Sequence, residues 1–551
     1  MESWETIAAS CQQALLDKIP PRWKLATRPD ASITDVTGIP RECGLLSAAQ
    51  LGITEQTASA LVARLQAGQI TSAEVTEAFC ARAAIAHQCV NCLTDFFYEE
   101  AMARAKELDE ILRKTGRPVG PLHGIPVAIK DQLWMKGKPA TFAAVAWHDK
   151  IADSDASIVE VLQRAGAVPF ARTAMPQTGM MLQTVSNLWG RTLNPFHRGF
   201  SAGGSSGGDG ALVAMRGSPF TPSTDIGGSI RAPATFNGLY AIRPTAERIP
   251  KTGLATAAPG QISIKVSCGP VCHSVADVKL VTKILLQHYD FIGFEPTCVP
   301  FPWREPAAPP PPKLCFAVMR SDGVVTPQPP VRRALDETIQ RLEAAGHTVL
   351  DFEPPFDLWE MAQDEWRLYF QTGAKEVKAL TASTGEPLSP NFVWYLKTFG
   401  IEELTVPELF KLNTKLALYR RQFAQAWSAS RAQTGTGRPF DALLCPCAPS
   451  AGFPHEFPVW WGYYALWNLL DYPSTILPLR SFRVDPTRDR KDEGYTPRTD
   501  NPFDRMNWEI YDPELWKNQP VCVQIVKPPY QDEDLIAVTE VVDQICNGTG
   551  R

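Results

Sequence analysis

The stretch "GGSSGGDGALVAMRGSPFTPSTDIGGSIR", residues 203–231, sets two serines, Ser205 and Ser229, each against glycine pairs. Glycine loses more backbone freedom on folding than any other residue, about 0.5–1 kcal/mol relative to alanine in regular structure, so paired glycines signal a close approach to the main chain. As a bare pattern, Gly203, Ser205 and Gly207 satisfy G-x-S-x-G, the strand-to-helix elbow of a nucleophilic serine. That elbow needs a buried strand before it, whereas the preceding "NLWGRTLNPFHRGFSA" carries Gly, Asn-Pro and a second Gly. His273, His288, His347 and His455 follow the serines, so the elbow stays open as an alternative. A phosphate-binding loop fits poorly, because no Lys-Ser or Lys-Thr follows either glycine pair.

Outward from this stretch, helical and strand patterns alternate. Upstream, "TSAEVTEAFCARAAIAH" opens with capping-box spacing from Thr71 to Glu74, and "EEAMARAKELDEILRK" carries Leu108, Ile111 and Leu112 on one helical face. The apolar run "GIPVAIK", residues 124–130, predicts a strand ending on Lys130; a helix over "ASIVEVLQRAG" and a strand over "AVPFA" follow. Downstream, "KLCFAVM" and "TVLDF" predict strands on either side of the helix "PPVRRALDETIQRLEAAGH", with Gly346 as its C-terminal cap. Such alternation predicts an α/β fold with a sheet covered on both faces. The proline-rich "VPFPWREPAAPPPP", residues 299–312, reads as a stiff surface connection, and the charged run at 485–505 as a solvated loop.

A net charge of −5 over 551 residues, with no basic stripe, excludes nucleic acid and an anionic membrane as expected partners. The first twenty residues lack a basic segment followed by an apolar core, and no run of about 18 apolar residues occurs, so a cytoplasmic protein without membrane insertion is expected. Thirteen cysteines at irregular spacing read as reduced, buried thiols. His87, Cys89 and Cys92 in "HQCVNC" have metal-like spacing, and Cys268, Cys272, Cys445 and Cys447 form further close pairs. No second C-x-x-C completes a zinc ligand set, so no metal is expected.

A serine hydroxyl is a weak nucleophile and needs a base within hydrogen-bond reach. Only His197 lies near either serine in sequence. A lysine can serve if burial lowers its pKa from about 10.4 to about 7–8. Lys130, at the end of an apolar strand, suits that role better than Lys136 or Lys138.

Taken together, "GGSSGG", "DIGGSIR", "GLYAIRPT" and "GIPVAIKD" resemble the amidase signature family. The resemblance extends to "GRTLNP", "CGPVCHSVADV", "LWNLLDYPSTILP" and "NQPVCVQIV", which are similar to segments of its fungal acetamidase-like branch. It implies a single large mixed β-sheet flanked by helices on both faces, with residues 1–75 as an N-terminal helical segment packing on an α/β domain of residues 76–551. It also implies a Ser-Ser-Lys triad: Ser229 as nucleophile, Ser205 as bridging serine, Lys130 as base. The N–H groups from Ile226 through Gly227 and Gly228 to Ser229 are expected to face the oxyanion, and Asp225 and Arg231 to hold the turn. By the same resemblance, Gly179 and Met180, after "MPQT", line the acyl side of the pocket; Trp460 and Trp461 supply a pocket wall or core. The implied activity is hydrolysis of a small-molecule carboxamide through an acyl-enzyme, without cofactor, and a homodimer is allowed. Acyl transfer or amide formation by the same triad is the alternative. A tRNA-dependent amidotransferase subunit fits less well for want of a basic patch, and a binding module is disfavoured by the filled triad positions.

Overall fold

The computed structural model describes residues 2–548. Among them run thirteen strands. The first five are β1 (Leu93–Phe96), β2 (Pro126–Lys130), β3 (Val168–Thr173), β4 (Val185–Ser186) and β5 (Gly190–Arg191). Then come β6 (Phe220–Asp225), β7 (Tyr240–Arg243), β8 (Ser267–Cys272) and β9 (Cys315–Val318). The last four are β10 (Thr348–Asp351), β11 (Ala442–Pro446), β12 (Ser474–Arg483) and β13 (Pro520–Val526). Eight of them form one sheet in the order β10-β9-β11-β13-β12-β7-β8-β6. Its β10, β9 and β11 end is parallel and the rest antiparallel, which makes it the expected mixed sheet. A three-stranded sheet, β1-β3-β2, lies beside it, and β4 with β5 forms a two-residue ribbon.

Side chains alternate across a strand, so a sheet with two buried faces must carry apolar residues at both parities. The large sheet does. Phe316, Val318, Leu444, Ile242, Val523 and Ile525 pack into one core, with the helices Val275–Leu286, Pro329–Ala344 and Asp532–Asn547. Their neighbours Cys315, Ala317, Leu443, Cys445, Ala241 and Cys522 face a second core, with the helices Leu358–Tyr369, Val406–Ala429 and Gly462–Leu470. Register is therefore strongly specified, because a one-residue slip would exchange the two cores.

The helix Ser72–Val90 starts at the anticipated capping box, Thr71 with Glu74. Gly346 follows the helix Pro329–Ala344 with φ of 90°. Residues 299–312 carry no regular structure, and the charged stretch is a loop only as far as Asn501, since a helix occupies Pro502–Glu509. Asn501 explains that start: its side chain accepts the N–H groups of Phe503 and Asp504. The four-residue strand β1 has no period long enough to read in advance and owes its form to pairing with β3.

Candidate active site

Three elements converge to build the site. Strand β2 ends on Lys130, strand β6 ends on Asp225 and runs into the Ser229 turn, and the Ser205 turn leads into the helix Gly207–Ala214. Lys130 is fully buried, and its Nζ donates to Ser205 Oγ at 2.9 Å and to Thr224 Oγ1 at 2.8 Å. Thr224 donates in turn to Gln132 Oε1 at 2.7 Å, and Gln132 Nε2 to the Ala255 carbonyl at 3.0 Å. Burial pushes the Lys130 amine down to about 8, against the opposing pull of Asp209, Cys268, Asp225 and Asp131.

Asp209, fully buried, accepts from Thr173 Oγ1 and, at 2.6 Å, from Ser223 Oγ. Burial raises its carboxyl to about 6, and the charge of Lys130 pulls the other way. Asp209 lies inside the quoted stretch, yet nothing local marks it, because an acid in a helix's first turn is ordinary. Thr224 and Gln132 were equally unmarked.

The Ser229 turn hangs on Asp225. Its carboxylate accepts from the N–H groups of Gly228 (2.9 Å) and Ile230 (3.0 Å), from Arg231 Nε (3.0 Å) and Nη2 (2.9 Å), and from Asn468 Nδ2 (2.9 Å). Burial alone would raise this carboxyl, but the Arg231 guanidinium outweighs it and holds Asp225 well below the usual carboxylate range. The Gly228 N–H is thus committed to Asp225, whereas those of Ile226, Gly227 and Ser229 have no protein acceptor among the described residues. The two turns touch where the Ser206 N–H donates to the Ser229 carbonyl at 3.3 Å. No hydrogen bond joins the two hydroxyls of Ser205 and Ser229 among the described residues.

Ser205, Ser229, Thr224 and Gln132 form the polar floor of a cavity of about 530 Å³. Its walls are mainly apolar, from Phe142, Met180, Ile226, Leu254, Ile264 and Phe370, and Gly179 also lines it. Glu386 pins the loop that carries Gly179 and Met180, accepting from Gln177 Nε2 at 2.6 Å and from the Val145 N–H at 2.8 Å. Trp461 stands behind Gly227, while Trp460 donates Nε1 to Asp322 in the core.

His197 is not among the residues lining this cavity; its Nδ1 accepts the Gly199 N–H. His87 Nδ1 accepts the Leu93 N–H, and Cys89 and Cys92 are buried free thiols. Among the described residues no three His, Cys, Asp or Glu side chains gather to hold a metal ion.

A family model described as Amidase matches residues 74–536. The chain belongs to the amidase family. The enzyme is 50% identical over 543 residues to an amidase of Gibberella zeae, covering 98% of this chain and 99% of that protein. It is 37% identical over 560 residues to an acetamidase of Emericella nidulans, covering 99% and 98%. Among solved structures, a fatty acid amide hydrolase superposes with a TM-score of 0.92 at 30% identity, over 99% of this enzyme and 95% of that chain. The amidase assignment accords with a pocket whose floor presents two serines, with the buried Lys130 amine behind Ser205. No helix among the described residues is long and apolar enough to cross a membrane.

Proposed function

We propose that the enzyme hydrolyses a carboxamide through an acyl-enzyme on Ser229, with Ser205 as proton relay and Lys130 as base. The observation that carries the reading is the 2.9 Å contact between Ser205 Oγ and a fully buried lysine amine. With its pKa lowered to about 8, roughly one lysine in ten is neutral at pH 7, against fewer than about one in a thousand for an exposed lysine. Rotation of the Ser205 hydroxyl lets it donate to the neutral amine and accept from Ser229 as that oxygen attacks the substrate carbonyl. The unpaired N–H groups of Ile226, Gly227 and Ser229 receive the developing oxyanion, a contribution of about 3–4 kcal/mol per donor in comparable sites. The proton returns through Ser205 to the departing nitrogen, and water then releases the acid by the reverse sequence.

The substrate proposed is an amide with an apolar acyl group of several carbons. The cavity's volume, about 530 Å³, falls within the roughly 300–1,000 Å³ of sites for medium-sized ligands, and its walls are mainly apolar above the serine floor, with Glu247, Lys251, Lys265 and Glu376 also lining it. Thirteen free cysteines, most of them buried, accord with a reducing compartment such as the cytoplasm. Hydroxylamine partitioning tests the covalent path. Hexanamide, hexananilide and methyl hexanoate should yield hydroxamate and acid in one common ratio, and a fluorophosphonate should label Ser229. A ratio that follows the leaving group, or label on Ser205 or Ser206, would sink the assignment of Ser229.

A further inference from the structure

The Ser229 turn is braced by a buried pair that the reaction above leaves unused. Tyr369, at the end of the helix Leu358–Tyr369, places its hydroxyl 2.8 Å from the Ile226 carbonyl oxygen and 2.8 Å from Glu365 Oε1. A phenol has one proton, so it cannot donate to both oxygens. Glu365 is fully buried and its Oε2 has no partner among the described residues, an expensive setting for a carboxylate. A protonated Glu365 resolves the first difficulty and eases the second: its Oε1–H donates to Tyr369 Oη, the phenol donates to Ile226, and Oε2 is left as an uncharged carbonyl oxygen. Burial pushes the Glu365 carboxyl well up, against the weaker pull of its bond to Tyr369 and of Arg231, Arg243 and Arg420.

In a planar trans peptide the Ile226 carbonyl and the Gly227 N–H point in opposite directions. A grip on the carbonyl therefore fixes the aim of an N–H that has no protein acceptor. Space agrees with this, since a Cβ at position 227 would lie 2.9 Å from Tyr369 Oη and 3.1 Å from the Trp461 ring. We propose that Tyr369, backed by the carboxylic acid of Glu365, is a positioning residue that aims the Gly227 N–H at the oxyanion of the tetrahedral intermediate. This rests on the reading of Ser229 as nucleophile.

Tyr369→Phe keeps the ring and removes the hydroxyl. With hexanamide, kcat should fall about 10- to 100-fold while KM stays within about twofold, the pattern of an interaction made only in the transition state. Affinity for a hexyl trifluoromethyl ketone, whose adduct carries an oxyanion, should fall by the same factor. The matching secondary alcohol, which forms no adduct, should bind as before. Glu365→Leu should lower kcat by about 3- to 10-fold, and Glu365→Gln, whose neutral amide still donates to Tyr369 Oη, should restore it. Unchanged kcat in Tyr369→Phe, or a Gln variant as impaired as the Leu variant, overturns the proposal. Should Tyr369→Phe fail to fold, the two Glu365 variants decide alone. Absence of fluorophosphonate label on Ser229 in the unaltered enzyme would sink the nucleophile instead. Label on Ser229 together with an unimpaired Tyr369→Phe sinks only the positioning role.

Discussion

The two glycine–serine turns that share the site are seated against different material. A Cβ at Gly208, in the first turn of the helix that follows Ser205, would lie 2.3 Å from the Ala174 nitrogen and 2.6 Å from the Cys92 oxygen, both main chain. A Cβ at Gly227, in the Ser229 turn, would meet side chains first, Tyr369 and Trp461. The chain at Ser205 is thus wedged against backbone that cannot yield. The Ser229 turn is shaped by the Asp225 carboxylate and by aromatic rings contributed from far along the chain. One turn is a fixed seat for the lysine, and the other is a surface whose aim depends on its neighbours.

Removing the anchor of the second turn should have the largest effect. Asp225→Ala leaves Arg231 buried without its partner, and breaking such a pair costs about 3–5 kcal/mol. Urea unfolding should register that loss together with loss of turnover; a destabilisation below about 1 kcal/mol would mean the turn holds its shape without Asp225. Next comes the contrast between the glycines. Gly208→Ala should destabilise by about 1–3 kcal/mol or more, while Gly227→Ala, whose neighbours can shift, should cost less in stability and show itself mainly in kcat. Equal stability losses at the two positions would erase the distinction between the turns.

The smallest effect expected belongs to the lysine that the first turn seats. Activity should rise about tenfold between pH 7 and pH 9 as the Lys130 amine, with its pKa near 8, loses its proton. Stability should move with it. Between about 8 and 10.5 the unfolded chain still holds a proton that the folded enzyme has released, so unfolding free energy gains with pH across that window. Lys130→Met should flatten both curves, and a rise that survived the substitution would point to another base.

What was legible in the sequence was what one segment carries alone. The strand ending on Lys130, the capping box at Thr71 and Glu74, and the glycine pairs around Ser205 and Ser229 each announce themselves within a few residues. Asp225 and Arg231 could be singled out because they flank the turn, where they pair with each other. Gly228 was grouped with the oxyanion donors, and only the folded turn shows its N–H spent on Asp225. Asp209, Thr224, Glu365 and Tyr369 gave no local sign, since their roles come from burial and from partners on other elements. Aromatic residues at helical spacing, such as Trp366 and Tyr369, look alike in sequence whether they fill a core or face a reaction.

Lys130 reaches Ser205 across 75 positions of chain and Thr224 across 94. Closing a loop of that size costs on the order of 4 kcal/mol in chain entropy, and no contact within the strand itself repays it. The amine is stripped of water only when three separate stretches of polypeptide have met. A chain still acquiring its shape therefore carries an ordinary, fully charged lysine and two ordinary alcohols. On the proposed mechanism, hydrolytic power exists only once these long-range encounters have been made, so a half-made enzyme is chemically harmless to the amides around it.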